Sequence, residues 1–225
     1  MMAGVARKSR RGAILRSFTE MVAERGYDEV SVRDVAEDLD ISKGTVLHHF
    51  GNKEALLEEM NAVYMRRRLT EAKKFLAEFT APIDQLQMIV YQLMLSQQAD
   101  RAATVAFSRE IVRSASDELM ADVRTMRDQY SQIVIEIIAR GIKQGDFAKV
   151  DTRLTALQIF GMCNWAWTWF VPTGSKTATE IAEQYCRTLI GGLSPGPVPK
   201  LNGKKLADAV EAAMAANQPE PISPS

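Results

Sequence analysis

Apolar residues along this chain recur at intervals of three and four, the period of a helix with one buried face. Val, Ile and Thr never alternate with polar residues for long enough to specify a strand, so the predicted fold is all-α. Ile14, Phe18, Met21, Val22 and Arg25 mark a first helix from about Arg11 to Arg25, and Gly26 stops it. Ser31 opens a second, "SVRDVAEDL", whose inner stripe is Val32, Val35, Ala36 and Leu39. Ser31 with Asp34 makes a capping box in which Asp replaces the usual Glu. After the turn "DIS", Ser42 caps a short helix from Lys43 to Phe50. Gly51 ends that helix and Asn52 caps a fourth, which runs to about Phe79 with Leu56, Met60, Val63, Leu69, Ala72 and Leu76 on one side.

Further helices are predicted over Ile83 to Gln97, Ala102 to Arg113, and Asp117 to Gly141, the last stopped by Gly141 and Gly145. Residues 150–170 form the next, broken by "VPTGS", and Thr177 to Gly191 the last well-packed one. Beyond Gly192 the composition shifts. "SPGPVPKLNGKK" reads as a linker, "KLADAVEAAMAAN" as a short helix and "QPEPISPS" as a disordered end. The expected division is 1–52, 53–192 and 193–225.

Composition narrows the function. The 225 residues carry no formal net charge, so any nucleic-acid contact must come from local clustering of cations. Cys163 and Cys186 form no CxxC and share no His spacing, so neither a disulfide framework nor a zinc site is expected. The basic N-terminus lacks the apolar core of a signal peptide. The apolar run from Ala156 to Val171 is interrupted by Gln158 and Asn164 and falls short of the roughly 20 residues of a membrane span. A soluble intracellular protein is expected. There is no Ser-His-Asp order, phosphate loop, paired-carboxylate motif or metal spacing, so no catalytic residue, cofactor or metal is assigned.

Residues 31–50 carry the most specific signal. Two short helices joined by a tight turn, the second capped by a hydroxyl, form the helix-turn-helix that lays its second helix in the DNA major groove. Val35, Ala36, Leu39, Ile41 and Val46 would hold the pair together. The run "FTEMVAERGYDEVSVRDVAEDLDISKGTVLHHFGNKEALL", residues 18–57, resembles the TetR family of transcriptional regulators almost throughout. The resemblance implies an N-terminal three-helix DNA-binding domain joined to a larger helical ligand-binding and dimerisation domain. One position departs from it: Leu47 stands where the family usually has a Tyr that touches the DNA backbone. Leu47 cannot donate a hydrogen bond, but it can meet a thymine methyl.

The candidate DNA-binding residues are Arg33, Ser42, Lys43, Gly44, Thr45, Leu47, His48, His49 and Lys53. Lys43 and Thr45 lie in the first turn of the recognition helix, Gly44 allows close backbone approach, and the helix N-terminus favours phosphate. Phosphate contacts for Lys53 and Arg33 are implied by the resemblance. The basic arm Arg7, Lys8, Arg10 and Arg11 is a further candidate. His48 and His49 point about 100° apart, a poor arrangement for joint metal ligation or catalysis.

One half-site binds weakly alone, so a homodimer on a pseudo-palindromic double-stranded operator is expected. In "FGMCNWAWTWF" Met162, Trp165 and Trp169 share one face, and Phe160, Cys163, Trp167 and Phe170 fall mostly on the other. Such a helix is buried between the core and either a second subunit or a ligand. Tyr185, Leu189 and Ile190 would complete a four-helix dimer interface. Met88, Tyr91, Leu95, Phe107, Met126, Tyr130, Trp165 and Trp169 are candidates for an apolar effector site. "GMCNWAWTWFxPxG" resembles the family's lipid and steroid regulators that answer acyl-CoA thioesters. This implies an apolar tunnel with a basic mouth, for which Arg109, Arg113, Arg124 and Arg127 are available. The expected function is a TetR-type repressor released by a small apolar or acyl-CoA-like effector. The alternatives are a helical lipid carrier or enzyme without DNA binding, and a regulator that activates or has no ligand.

Overall fold

A computed structural model describes residues 2–111, 120–197 and 202–216, with side chains from Arg10 onward. Among these residues there are ten α-helices, a short 3-10 segment and no strand. Contacts divide the chain into two compact units. One takes Met1–Met65 with Ala102–Thr125, and the other Arg66–Arg101 with Met126–Gln218.

The first unit holds α1 (Met2–Arg25), α2 (Val32–Asp38), α3 (Lys43–Phe50), the first half of α4 (Lys53–Glu78) and nearly all of α6 (Arg101–Glu110). Its core is the apolar stripe of each helix: Ile14, Phe18, Val22, Val35, Ala36, Val46 and Leu56 are all buried. All three expected caps form. The Ser31 hydroxyl accepts from the Asp34 amide at 3.2 Å, and the Asp34 carboxylate accepts from the Ser31 amide at 2.6 Å. The Ser42 hydroxyl accepts from the Thr45 amide at 3.1 Å, and the Asn52 side chain from the Ala55 amide at 2.7 Å. Between α2 and α3 the chain reverses through Asp40, at φ +50°, and the Ile41 amide donates to the Ala36 carbonyl at 2.9 Å. Tyr64 stacks on Phe107, ring centroids 4.4 Å apart, and so seats α6 against α4. The Tyr27 amide donates to the Glu110 carboxylate at 3.0 Å.

The second unit is built around α5 (Pro82–Ala99). Packed on it are α8 (Thr152–Asn164), the 3-10 segment (Trp165–Thr168), α9 (Ala178–Leu193) and α10 (Gly203–Ala215). Because neighbours surround it, even its polar residues Gln85, Gln87, Gln92, Ser96 and Gln97 are buried. Such groups must find bonds inside. Gln92 donates to the Arg68 carbonyl at 2.9 Å and the Glu71 carboxylate at 2.8 Å, and accepts from the Tyr130 hydroxyl at 2.6 Å. Gln97 donates to the Cys163 carbonyl at 3.2 Å. Arg68 and Glu71 form a buried ion pair at 3.2 Å.

Three local expectations change. Gly141 does not stop its helix: α7 (Ala121–Gln144) runs through it and ends at Gly145, which takes φ +83°. A Cβ on Gly141 would come within 2.1 Å of the Phe147 ring, so this glycine is a seat for an aromatic side chain. The helix expected over 150–170 is two elements, α8 and the 3-10 segment. The short helix expected in the tail is α10, and it buries Leu206, Ala207, Val210 and Met214. The disordered end expected after it, Arg113, and the side chains of Arg7 and Lys8 lie outside the described residues.

Candidate functional site

Along α3 the side chains sort by face. Val46 and Phe50 are buried, Lys43, Gly44 and His48 are exposed, and Thr45, Leu47 and His49 are half-buried. Positions 43 and 47, and 44 and 48, lie one turn apart, so the exposed residues form one continuous strip. Ser42 and Thr45 share a hydroxyl–hydroxyl bond of 2.9 Å at the helix start, which fixes both rotamers. Among the described residues, no three His, Cys, Asp or Glu side chains are grouped to hold a metal.

Arg11 is not a free arm. The basic N-terminal segment is continuous with α1, and the Arg11 guanidinium folds back on the unit. It donates to the His49 carbonyl at 2.7 Å, lies 4.1 Å above the Phe50 ring and pairs with Glu59 at 3.6 Å. A cation at the C-terminal end of α3 is also favoured by the helix dipole. Arg11 therefore orients the recognition helix, and Arg10 remains exposed. Lys53 is half-buried with its ammonium 4.1 Å above the Tyr27 ring and 3.5 Å from the Asp28 carbonyl. Arg33 is exposed and paired with Glu37 at 2.7 Å. That pair is solvent-screened and separates cheaply.

The interior candidates do not gather in one place. Met88, Tyr91 and Leu95 are buried on α5, Tyr130 is tied to Gln92, and Met126 is half-buried. Phe107 belongs to the first unit, stacked on Tyr64. Trp165 and Trp169 are at the surface, 65% and 46% exposed. With Leu154, Leu157 and Val171 they make the apolar outer side of the α8 segment, while Ile159, Cys163, Ala166 and Phe170 face the core. Ile190, expected on the same outer surface, is buried inside the unit, whereas Tyr185 and Leu189 are half-exposed. Arg109 donates to the Glu24 carbonyl at 3.2 Å and so tethers α6 to the end of α1.

A cavity of about 230 Å³ lies between α5, α9 and the start of α10. It is lined by Gln87, Tyr91, Glu183, Cys186, Arg187, Gly203 and Lys204. Of these the sequence reading singled out Tyr91 as a ligand residue. The available signal was the glutamines of "IDQLQMIVYQLMLSQQ", polar residues on every side of an otherwise apolar helix.

Residues 14–60 match the bacterial regulatory proteins of the tetR family, and residues 80–193 match the tetracyclin repressor-like C-terminal domain. The HTH-type transcriptional repressor KstR2 of Mycobacterium tuberculosis is 26% identical over 187 residues, 83% of this chain and 94% of that protein. The structure of the ketosteroid transcriptional regulator KstR2 from that organism superposes with a TM-score of 0.77 at 25% identity, over 83% of this chain and 96% of the other. The TetR family regulator PfmR of Thermus thermophilus is 30% identical with a TM-score of 0.73, over 80% of this chain and 98% of the other. Both the helix-turn-helix and the helical body are thus accounted for, and the chain belongs to the TetR family, whose members are DNA-binding transcriptional regulators rather than enzymes.

Proposed function

We propose that the protein is a homodimeric repressor that reads a pseudo-palindromic operator with α3 of each subunit and is released by a small apolar effector. The observation that carries the reading is the exposed strip of Lys43, Gly44 and His48, with half-buried Leu47 beside it, on a helix capped at its start and clamped at its end by Arg11. Repressor polarity is supported by the likeness to the repressor KstR2. Ser42, Thr45, His49, Lys53 and Arg33 flank the strip and complete the proposed contact set. Lys53 and Arg33 would have to leave Tyr27 and Glu37 to reach phosphate. Such a role is cytoplasmic.

For the effector, an acyl-CoA thioester or a related lipid-derived molecule is the proposed class, supported by the "GMCNWAWTWFxPxG" resemblance and by a relative described as a ketosteroid regulator. Met88, Leu95, Met126 and Tyr130 are the proposed lining. Met88 and Leu95 are buried, so an effector reaching them from solvent must part helices. That cost is what couples binding to shape: the ligand favours a state whose recognition helices no longer match successive major grooves, about 34 Å apart.

The test is a gel-shift titration with operator DNA. Lys43→Ala is expected to weaken binding by about tenfold or more, the cost of one direct contact, with no change in melting temperature. Unchanged affinity removes Lys43 from the interface. The rival reading, a helical lipid carrier, predicts no duplex binding, whereas a DNA-binding dimer loses affinity steeply as salt rises.

A further inference from the structure

We propose that the cavity between α5, α9 and α10 is a binding site for a small hydroxy acid, distinct from the effector site among Met88, Leu95, Met126 and Tyr130. Two buried polar atoms carry the argument. The Tyr91 hydroxyl and Gln87 Oε1 have no hydrogen-bond partner among the described residues, although both side chains are almost fully inaccessible. Native interiors satisfy such groups, with protein, water or ligand. Both residues line the same cavity. The Gln87 amide nitrogen is spent on the Ile83 carbonyl at 3.3 Å, which leaves Oε1 asking for a donor. The Tyr91 hydroxyl can give or accept. Burial, with Cys186 and Glu183 nearby, pushes the Tyr91 phenol well up, so it stays protonated. A hydroxyl has the chemistry both atoms ask for, able to accept from Tyr91 and to donate to Gln87.

The rest of the lining asks for a negative charge. Arg187 and Lys204 against Glu183 leave one net positive charge. The first turn of α10 adds backbone N–H groups without a side-chain cap, because the Asn202 amide reaches instead to Asp84 at 3.3 Å. Gly203 brings the α10 backbone against the floor: a Cβ there would stand 2.7 Å from the Tyr91 hydroxyl oxygen. At about 230 Å³ the space equals roughly seven waters at their liquid volume, so it suits an acid of about that many heavy atoms. The site needs α10, which lies beyond the matched family region ending at residue 193.

The experiment is isothermal titration of the full-length protein with D- and L-glycerate, with propionate and glycerol as controls lacking the hydroxyl or the charge. Binding of one glycerate enantiomer is expected, with both controls weaker by about tenfold or more, the worth of one hydrogen bond to a buried group. Tyr91→Phe and Gln87→Leu should each lower glycerate affinity by about tenfold. Tyr91→Phe should not lower the melting temperature of the unliganded protein, since it removes an atom that had no partner, whereas Gln87→Leu also gives up the bond to the Ile83 carbonyl. No binding of either glycerate, affinity equal to that of propionate, or unchanged affinity in both variants overturns the proposal.

Discussion

Asp40 holds φ +50° in the turn between α2 and α3, a conformation that L residues reach at a cost and that Asp tolerates better than most. The turn sets the angle at which α3 leaves α2, so its strain bears on DNA contact. Asp40→Val should cost about 1 to 2 kcal/mol, because a β-branched side chain is poorly accommodated there. Asp40→Gly should be neutral or mildly stabilising. Chemical denaturation of both variants checks this, and equal stability of the two would show that the turn carries no strain. At the same scale, Arg11 shows where residue types mislead. A basic run before a helix-turn-helix reads as a groove-seeking arm. Nothing in the sequence tells that the His49 carbonyl and the Phe50 ring would claim one of its cations. Lys43 and Gly44, by contrast, were legible, since helical period and the Ser42 cap suffice to put them outside.

At the scale of elements, caps and periods told most. The Thr177 to Glu180 cap of α9 has a measurable consequence. The Thr177 amide, Lys176 and the Thr177 hydroxyl together pull the Glu180 carboxyl down from its ordinary 4.5 to about 2. A carboxyl depressed in the folded state adds stability above about pH 4.5 and loses it as pH falls toward 2. Glu180→Gln should therefore melt lower than the parent at pH 6, and the gap should narrow below pH 4. A gap that stays constant across this range refutes the role given to the charge. What the sequence could not show was tertiary in origin. Gly141 looks like a stop, yet the Phe147 ring occupies the space a Cβ would take, and the helix continues past it. The docking of α10 likewise depends on a neighbour distant in sequence, α5. The glutamines of α5 could be seen as odd, but only the packing of α8, α9 and α10 around them makes them buried.

At the scale of the whole molecule, assembly follows from what α8 leaves uncovered. Leu154, Leu157, Trp165, Trp169 and Val171 form a large apolar surface that a monomer would expose to water. A second subunit is the proposed cover. Trp165→Glu with Trp169→Glu should shift the protein to monomer in analytical ultracentrifugation and take operator affinity with it, because the two half-sites are no longer read together. A double variant that stays dimeric places the interface elsewhere.

The enclosure of α5 also gives the protein an internal clock. A helix walled by α8, the 3-10 segment, α9 and α10 can exchange its amide hydrogens only when those walls part. The amides from Leu86 to Leu95 should be among the slowest in the chain to take up deuterium, and the last to be lost to protease. An effector that works by parting helices should quicken them even before operator is released. One that seals the cavity beneath α10 should slow them further. Deuterium uptake on this one segment would then separate the two kinds of ligand by the sign of their effect.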